Sequence, residues 1–340
     1  MSSKITLSAL AATIGALGSL ALASQASAAD SCDRACLIKT TDRYLAAIVA
    51  HDPSEAPLAS HVMFVENVKR MKPGEGLWKT ATGGPTAFHI YVPDVALQQV
   101  GWLGVLQQDG KPTMLALRLK LKDGKIVQAE HITAAPGNFP GAKENVVTVR
   151  PGLLKEIPAD KRMTESKLRS IGITYYAALD DNNGSEAPFA ADCQRRENGM
   201  TTAGEGAGAP PTKEANKSPI AHDCKGQIDS GSFIYIEHID NRRMIAADPV
   251  TGLAMGISHF RHSMTNLPYK VKHMDGTTSE RNAQNMPYKP FDLPAAHIFK
   301  IGPDGKIHEI EAVGVMEPFK SPTGWEGTAY EKSFVQPKGK

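Results

Sequence analysis

The feature that most constrains this chain of 340 residues is an internal repeat. The segment Ser-Glu-Ala-Pro occurs at residues 54–57 and again at residues 185–188, an offset of 131. The same offset relates the Glu-Asn pairs at residues 66–67 and 197–198, and Tyr44 to Tyr175. A shared register over this distance indicates two copies of one folding unit, each long enough to bury its own core.

Each copy is predicted to begin with a helix. Apolar residues recur at helical spacing from Leu37 to Ala50, and Asp52-Pro53 then ends the pattern. In the second copy Thr164 is a candidate N-cap before an apolar stripe that runs from Leu168 to Leu179.

Strand patterns follow the helix in both copies. Asp-Gly turns are predicted at residues 109–110, 123–124 and 304–305. The closing hairpins, Asp-Gly-Lys-Ile at 123–126 and 304–307, differ by 181, so the second copy has gained about fifty residues. The predicted strands cover residues 88–91, 100–107, 113–121, 126–132, 233–239, 253–260, 297–301 and 307–313.

The added residues fall mainly in two stretches, 200–221 and 265–293, which are rich in loop-forming residues. Long loops of this kind are either lids over a site or surface decoration, and the composition leaves both open. Residues 136–163 are expected to form a linker and residues 321–340 a tail.

A helix followed by antiparallel hairpins predicts an α+β fold rather than βαβ units. Each copy resembles the NTF2-like (SnoaL-like, ketosteroid-isomerase-like) family, in the Tyr-Ala-Ala helix and the Glu-Asn-Gly segment at residues 197–199. The resemblance implies two tandem cones, over residues 29–135 and 164–320, in which helices pack on a curved antiparallel sheet that can hold a ligand. This family includes isomerases, cyclases, hydratases, dehydratases, lyases and non-catalytic binders, so the fold leaves the reaction open.

The first 28 residues are typical of a secretory signal, with Lys4, an apolar stretch and the small-residue site at residues 26–28. We expect an exported protein, periplasmic or secreted; a retained anchor is the alternative. Export permits disulfides, and four cysteines allow three connectivities. The local pairings Cys32 with Cys36 and Cys193 with Cys224 are favoured because each closes a short segment.

The formal net charge of +2, without long runs of one sign, argues against nucleic acid and membrane surfaces as partners. We expect a small-molecule ligand. For the assembly, the resemblance leaves open a homodimer or a pair of units within one chain that mimics such a dimer.

Comparison of the copies points to the second one as the site. Residues 61–68 are mostly apolar, whereas residues 192–199 keep charge. The candidate catalytic residues are His259, Asp192 and Tyr176, and the candidate substrate-binding residues are Arg195, Arg243, Tyr175 and Glu197.

Each candidate has a structural alternative. His259 ends an apolar strand face and is suited to acid–base work, although a hydrogen-bonded structural histidine is the commoner case. Asp192 can equally be a cap, and Glu197 has a counterpart, Glu66, in the apolar copy. His259 and His262 would point to opposite strand faces, so a metal is not expected, nor is a cofactor.

These observations lead to two main functional hypotheses. One is a cofactor-independent lyase or isomerase that applies acid–base chemistry to a small cyclic or aromatic compound in the second cone. The other is a non-catalytic binding protein of the same fold, and a structural scaffold is a third class.

Overall fold

The computed structural model describes Met1, residues 31–205, Ala207 and residues 223–337. The predicted signal sequence and most of the first inserted loop therefore lie outside the described residues. No helix in the described part of the chain has the length and apolar character needed to cross a membrane.

The first unit begins with one long helix, α1, whose N-cap Asp33 accepts a hydrogen bond from the backbone of Cys36. Seven strands and one short helix follow it. Their bounds are α1 Arg34–Val49, β1 Leu58–Glu66, β2 Lys69–Met71, α2 Leu77–Thr80, β3 Ala81–Gly83, β4 His89–Asp94, β5 Gln99–Gln108, β6 Lys111–Lys122 and β7 Lys125–Ala134.

The second unit begins with two consecutive helices, since the predicted stripe from Leu168 is interrupted at Ile173. Thr164 is the N-cap of the first, as predicted, and accepts from the Lys167 backbone. The bounds, from the linker onward, are α3 Pro151–Leu154, α4 Glu165–Gly172, α5 Thr174–Asp180, β8 Phe189–Glu197, β9 Met200–Ala203, α6 Cys224–Asp229, β10 His238–Asp248, β11 Leu253–His262, β12 Tyr269–Lys272, β13 Thr278–Arg281, β14 Phe291–Ile301, β15 Ile307–Gly314 and β16 Glu317–Pro318.

The two sheets share one topology. The first has the order β2-β1-β7-β6-β5, with β3 and β4 both paired to β5; the second has the order β9-β8-β15-β14-β11-β10. In each sheet the strand after the Ser-Glu-Ala-Pro segment runs parallel to the last long strand, and the other long pairs are antiparallel. The α+β class and the two tandem units are confirmed, and the architecture is consistent with tandem NTF2-like cones.

Each sheet has two covered faces. One face packs against the helices of its own unit, around Trp102 in the first and Phe299 in the second. The other faces meet each other in a third apolar cluster, which joins Leu103 and Met114 to Met255 and Ile298. The described residues therefore form two cone cores, one core between the units and a small cluster of Val65, Trp325 and Phe334.

Two strand predictions were wrong at their start. β14 begins at Phe291, six residues before the predicted residue 297, and the strand predicted from residue 233 begins later than predicted. Residues 233–236 form a turn, and β10 begins only at His238 and continues to Asp248. Arg242 and Arg243 therefore lie within the strand rather than after it. The apolar run from Phe233 to Ile236 packs into the second cone from a turn, which periodicity alone does not distinguish from a strand.

The structure contains both favoured disulfides, Cys32–Cys36 and Cys193–Cys224. The second joins β8 to α6 and so closes the base of the inserted segment between them. Two disulfides are compatible with an exported protein.

Candidate functional site

The repeated Glu-Asn segment forms a two-residue hairpin turn in both copies. Asn67 and Asn198 have φ angles of 43° and 47°, and the residue after each also has a positive φ, as a type I′ turn requires. The Asn198 side chain donates to the Gly314 carbonyl at 2.9 Å and accepts from the Gly314 N–H at 3.0 Å. Asn67 makes the same pair of contacts with Thr133. The shared motif therefore fixes the parallel strand pair.

The second cone holds a polar cluster within aromatic walls. Tyr176 Oη lies 3.4 Å from His297 Nδ1, and the His297 ring contacts the rings of Tyr175, Phe260 and Phe299. Tyr175, Tyr176 and His297 are at most 2 % exposed. His297 was not among the sequence candidates, because it lies within β14 with no motif around it. The residue at the equivalent place in the first sheet, Leu117, is apolar.

Arg195 extends this cluster toward the cone mouth. It donates to Thr202 Oγ1 at 2.9 Å, to Gln227 Oε1 at 2.7 Å and to Tyr175 Oη at 3.4 Å. It also forms an ion pair with Glu197 at 3.3 Å, and its guanidinium lies 4.8 Å from the Phe233 ring centroid. The Glu197 side chain is 37 % exposed, so Glu197 is the part of this network that reaches solvent.

The environment sets the protonation of these groups. Burial lowers the pKa of His297 to about 3, so its imidazole is neutral at pH 7. Burial raises the pKa of Tyr176 strongly and that of Tyr175 to about 12, so both hydroxyls keep their protons. Burial acts to lower the pKa of Arg195, but Tyr175 and Glu197 outweigh it and the pKa is raised. At neutral pH the cluster offers two hydroxyl donors, one neutral imidazole and one cation.

His259 and Arg243 lie on the other face of the second sheet. Along β11, His259 shares a face with Met255 and Ile257, and Phe260 lies on the opposite face, as predicted. The face that carries His259 is the one between the units. His259 Nδ1 lies 3.4 Å from Asn241 Nδ2, and burial with two nearby arginines lowers its pKa well below 6.5. The sheet therefore separates His259 and Arg243 from Tyr176.

Asp192 lies outside both groups. Its side chain is 73 % exposed and accepts from His308 at 2.7 Å, on the surface of the second unit. Of the seven candidates, the structure brings together Tyr175, Tyr176, Arg195 and Glu197. It does not bring Asp192, His259 or Arg243 to them.

The first cone also has a buried polar network. Tyr44 Oη lies 3.0 Å from His131 Nε2, and His131 Nδ1 lies 3.0 Å from Glu66 Oε2. Glu66 also accepts from the Leu77 backbone N–H. The apolar character of residues 61–68 therefore does not extend to the whole first cone, since His131 comes from the last strand and not from the compared segment. The side chains of Tyr44, His131 and Glu66 are thus paired with one another, and among the described residues no arginine forms an ion pair with this network.

A cavity of about 870 Å³ lies between the two units, beneath the C-terminal tail. Its wall combines residues of the turn before β5, of β6, β7 and β10, and of the tail, including Arg118, Lys120, Arg243 and Tyr330. Among the described residues no group of three or more His, Cys, Asp or Glu side chains is arranged to hold a metal.

A family model described as a domain of unknown function (DUF8021) matches residues 161–314, which is the second unit. No curated protein sequence matches the chain.

Several solved structures are similar to part of it, among them the following three. A putative hydroxylase, AclR, from Streptomyces galilaeus has 10 % identity and a TM-score of 0.26, over 45 % of this chain and 81 % of its own. A putative polyketide cyclase from Silicibacter sp. has 14 % identity and a TM-score of 0.26, over 45 % and 90 %. AusH from Aspergillus nidulans has 10 % identity and a TM-score of 0.25, over 44 % and 84 %.

Proposed function

We propose that the second cone binds a small carbonyl-containing organic compound and catalyses proton transfer next to the carbonyl, as a lyase or isomerase. The observation that carries this proposal is the Tyr176–His297 pair in the aromatic interior of the cone. A protonated tyrosine in a desolvated site donates a strong hydrogen bond to an oxygen that gains negative charge. Arg195 supplies the positive charge on the same side of the sheet.

In this proposal the proton acceptor is Glu197. It is the carboxylate joined to the network, through its ion pair with Arg195, and it reaches solvent. The proton leaves the substrate carbon for the Glu197 carboxylate, while Tyr176 stabilises the resulting enolate oxygen. Return of the proton to another carbon gives isomerisation, and loss of a leaving group gives elimination. With a pKa of about 3, His297 serves as a neutral hydrogen-bond partner that orients Tyr176.

The test is solvent deuterium incorporation, followed by NMR, into a panel of small cyclic ketones and aromatic hydroxyketones. Tyr176→Phe should lower the exchange rate by about 100-fold, the usual effect of removing one oxyanion donor. Tyr288→Phe, at a tyrosine that is 53 % exposed, is the matched control and should exchange at the parent rate. Equal rates for the parent and Tyr176→Phe would reject the mechanism.

A second candidate function is non-catalytic binding of a small molecule, and the cavity between the units favours it. Compounds that raise the thermal unfolding temperature of the full chain without being turned over support this function, because a ligand of the folded state stabilises it by mass action. A library in which every stabilising compound is also a substrate would argue against it.

A further inference from the structure

The cavity between the units has a strongly basic wall. Arg118 and Lys120 are on the face of β6 that looks toward the second unit, since Leu117 and Leu119 point into the first cone. Arg242 and Arg243 face the cavity from β10. Asp123 is the one carboxylate among the lining residues.

Lys122, at the exposed end of β6, is a fifth lining cation, and two of the five are neutralised locally. Arg243 forms a two-point ion pair with Glu130, with N–O distances of 2.9 and 3.0 Å. Arg242 lies 2.8 Å from Asp180. Both carboxylates are themselves buried, so these charges are balanced within the protein.

Arg118 is different. It is 1 % exposed, and its Nε and Nη2 donate to the side-chain oxygens of Gln99 and Gln128, both at 2.7 Å. These partners are neutral amides, and within the described residues Arg118 has no carboxylate in ion-pair range. Its third nitrogen, Nη1, is buried without any hydrogen-bond partner. A buried arginine is normally paired with an anion, because the desolvation of an unpaired charge is costly.

Lys120 adds a second cation without an ion pair, and the carboxylates that act on these two cations, Glu130 on Arg118 and Asp94 on Lys120, do so beyond ion-pair distance. The Lys120 ammonium donates to the Leu97 carbonyl, and it too has no ion pair in the part of the chain that the structure describes. Burial lowers the pKa of both Arg118 and Lys120, and the proximity of Arg118 lowers that of Lys120 further. A negative charge in the cavity would relieve both effects.

Part of the wall is apolar. Leu97, Leu121, Val127, Met244 and Ile245 line the cavity beside the cations. We propose that this cavity binds a small organic carboxylate, whose head group pairs with Arg118 and Lys120 and whose apolar body lies against these side chains. The inference deepens the second candidate function, binding, and is independent of chemistry in the cone.

The C-terminal tail forms the outer wall of this site. The Tyr330 ring centroid lies 4.0 Å from the Arg118 guanidinium carbon, and Phe334 lies 4.3 Å from that of Arg243. Val335 exchanges two backbone hydrogen bonds with Arg242, at 2.9 and 3.0 Å. The rings of Tyr330 and Trp325 cover the Arg118 guanidinium, whose Nη1 is the nitrogen without a hydrogen-bond partner.

The test is isothermal titration calorimetry of the full chain with octanoate. Octanoate should bind, and Arg118→Gln and Lys120→Gln should each weaken it by about tenfold or more, as for a lost hydrogen bond to a charged group. Arg43→Gln, at an exposed arginine outside the cavity, is the matched control and should bind as the parent does. Thermal melts establish that each variant is folded. If Arg118→Gln does not fold, Lys120→Gln, at a less buried position, carries the test alone.

Three results would overturn the inference. The first is that Arg118→Gln and Lys120→Gln both bind octanoate as tightly as the parent does. The second is that the parent binds 1-octanol, which lacks the charge, as tightly as octanoate. The third is that it binds inorganic phosphate, which lacks the apolar body, as tightly as octanoate. If octanoate fails while other library compounds still stabilise the chain without turnover, the binding function stands and only the anion assignment is lost.

Discussion

Glu130 of β7 and Arg243 of β10 form a two-point ion pair that joins the two units, with both side chains at most 6 % exposed. Glu130 has a counterpart in the second unit at the offset of 181. Glu311 matches Glu130, is also fully buried, and pairs with Arg150 from the linker at 3.1 Å. Each final strand thus carries a buried glutamate that binds an arginine from outside its own sheet.

We expect Glu130→Gln to lower the free energy of unfolding by about 3–5 kcal/mol, because it leaves Arg243 buried without its counter-charge. The double variant Glu130→Met with Arg243→Met should lose less than the sum of the single losses. The measurement is urea unfolding of the parent, Glu130→Met, Arg243→Met and the double variant. Glu156→Gln, which breaks a solvent-exposed ion pair with Arg162, is the control and should cost less than about 1 kcal/mol. Strict additivity in the cycle would contradict the pairing.

Replacement of Asn67 or Asn198 by Ala should destabilise the protein by about 1–3 kcal/mol at each site. Each change removes two side-chain hydrogen bonds to a neighbouring strand and places Ala at a positive φ. Chemical denaturation compares each variant with Asn138→Ala in the linker. A loss at one site only would show that the turn has different roles in the two copies.

The pH dependence of stability should contain a contribution from Glu311. Burial raises its pKa in the folded protein to about 7, from 4.5 when exposed. The folded state therefore holds this proton more tightly, so the contribution is fully present below about pH 4.5 and is lost as the pH rises through about 7.

The difference in free energy of unfolding between the parent and Glu311→Gln should accordingly change by up to about 3 kcal/mol between about pH 4.5 and about pH 7. Denaturant unfolding at half-unit steps from pH 4 to pH 8 measures it. Glu144→Gln, at an exposed position, should follow the parent at every pH. A parent curve parallel to that of Glu311→Gln would mean that Glu311 titrates normally.

The two disulfides should contribute unequally. Cys193–Cys224 has a sequence separation of 31 and Cys32–Cys36 a separation of 4. Loop-closure entropy predicts losses of about 4 and about 2 kcal/mol when each pair is replaced by alanines. Guanidinium unfolding of the two double variants is the measurement, with the parent protein that keeps both disulfides as the reference. A larger loss at the Cys32–Cys36 pair would reject the entropic account.

Much of the architecture could be predicted from local signals. The repeat register, the Thr164 cap and the Asp-Gly turns depend on residues close in sequence, and the helices and most strands follow from them. The exception at residues 233–236 has a physical cause. An apolar run that enters a core from a turn has the same composition as a short buried strand.

The candidate site was only partly predictable. Tyr175, Tyr176, Arg195 and Glu197 lie together because the shared register places the helix over the end of β8. His297 and Arg118 lie in the middle of strands with no motif. The tyrosines that contact them, Tyr176 and Tyr330, are more than a hundred residues away in the chain. No local pattern carries that information.

The sequence by itself determined that the chain has two units of one topology, and that alternate residues of β11 lie on opposite faces. Only the tertiary structure decided which face is the cone and which lies between the units. The reason is that both faces of this strand are covered, by helices on one side and by the other unit on the other, so both are apolar. When both faces of a strand are apolar, the sequence shows that His259 and Phe260 lie on opposite faces. It does not show which of the two lies on the same side of the sheet as Tyr176.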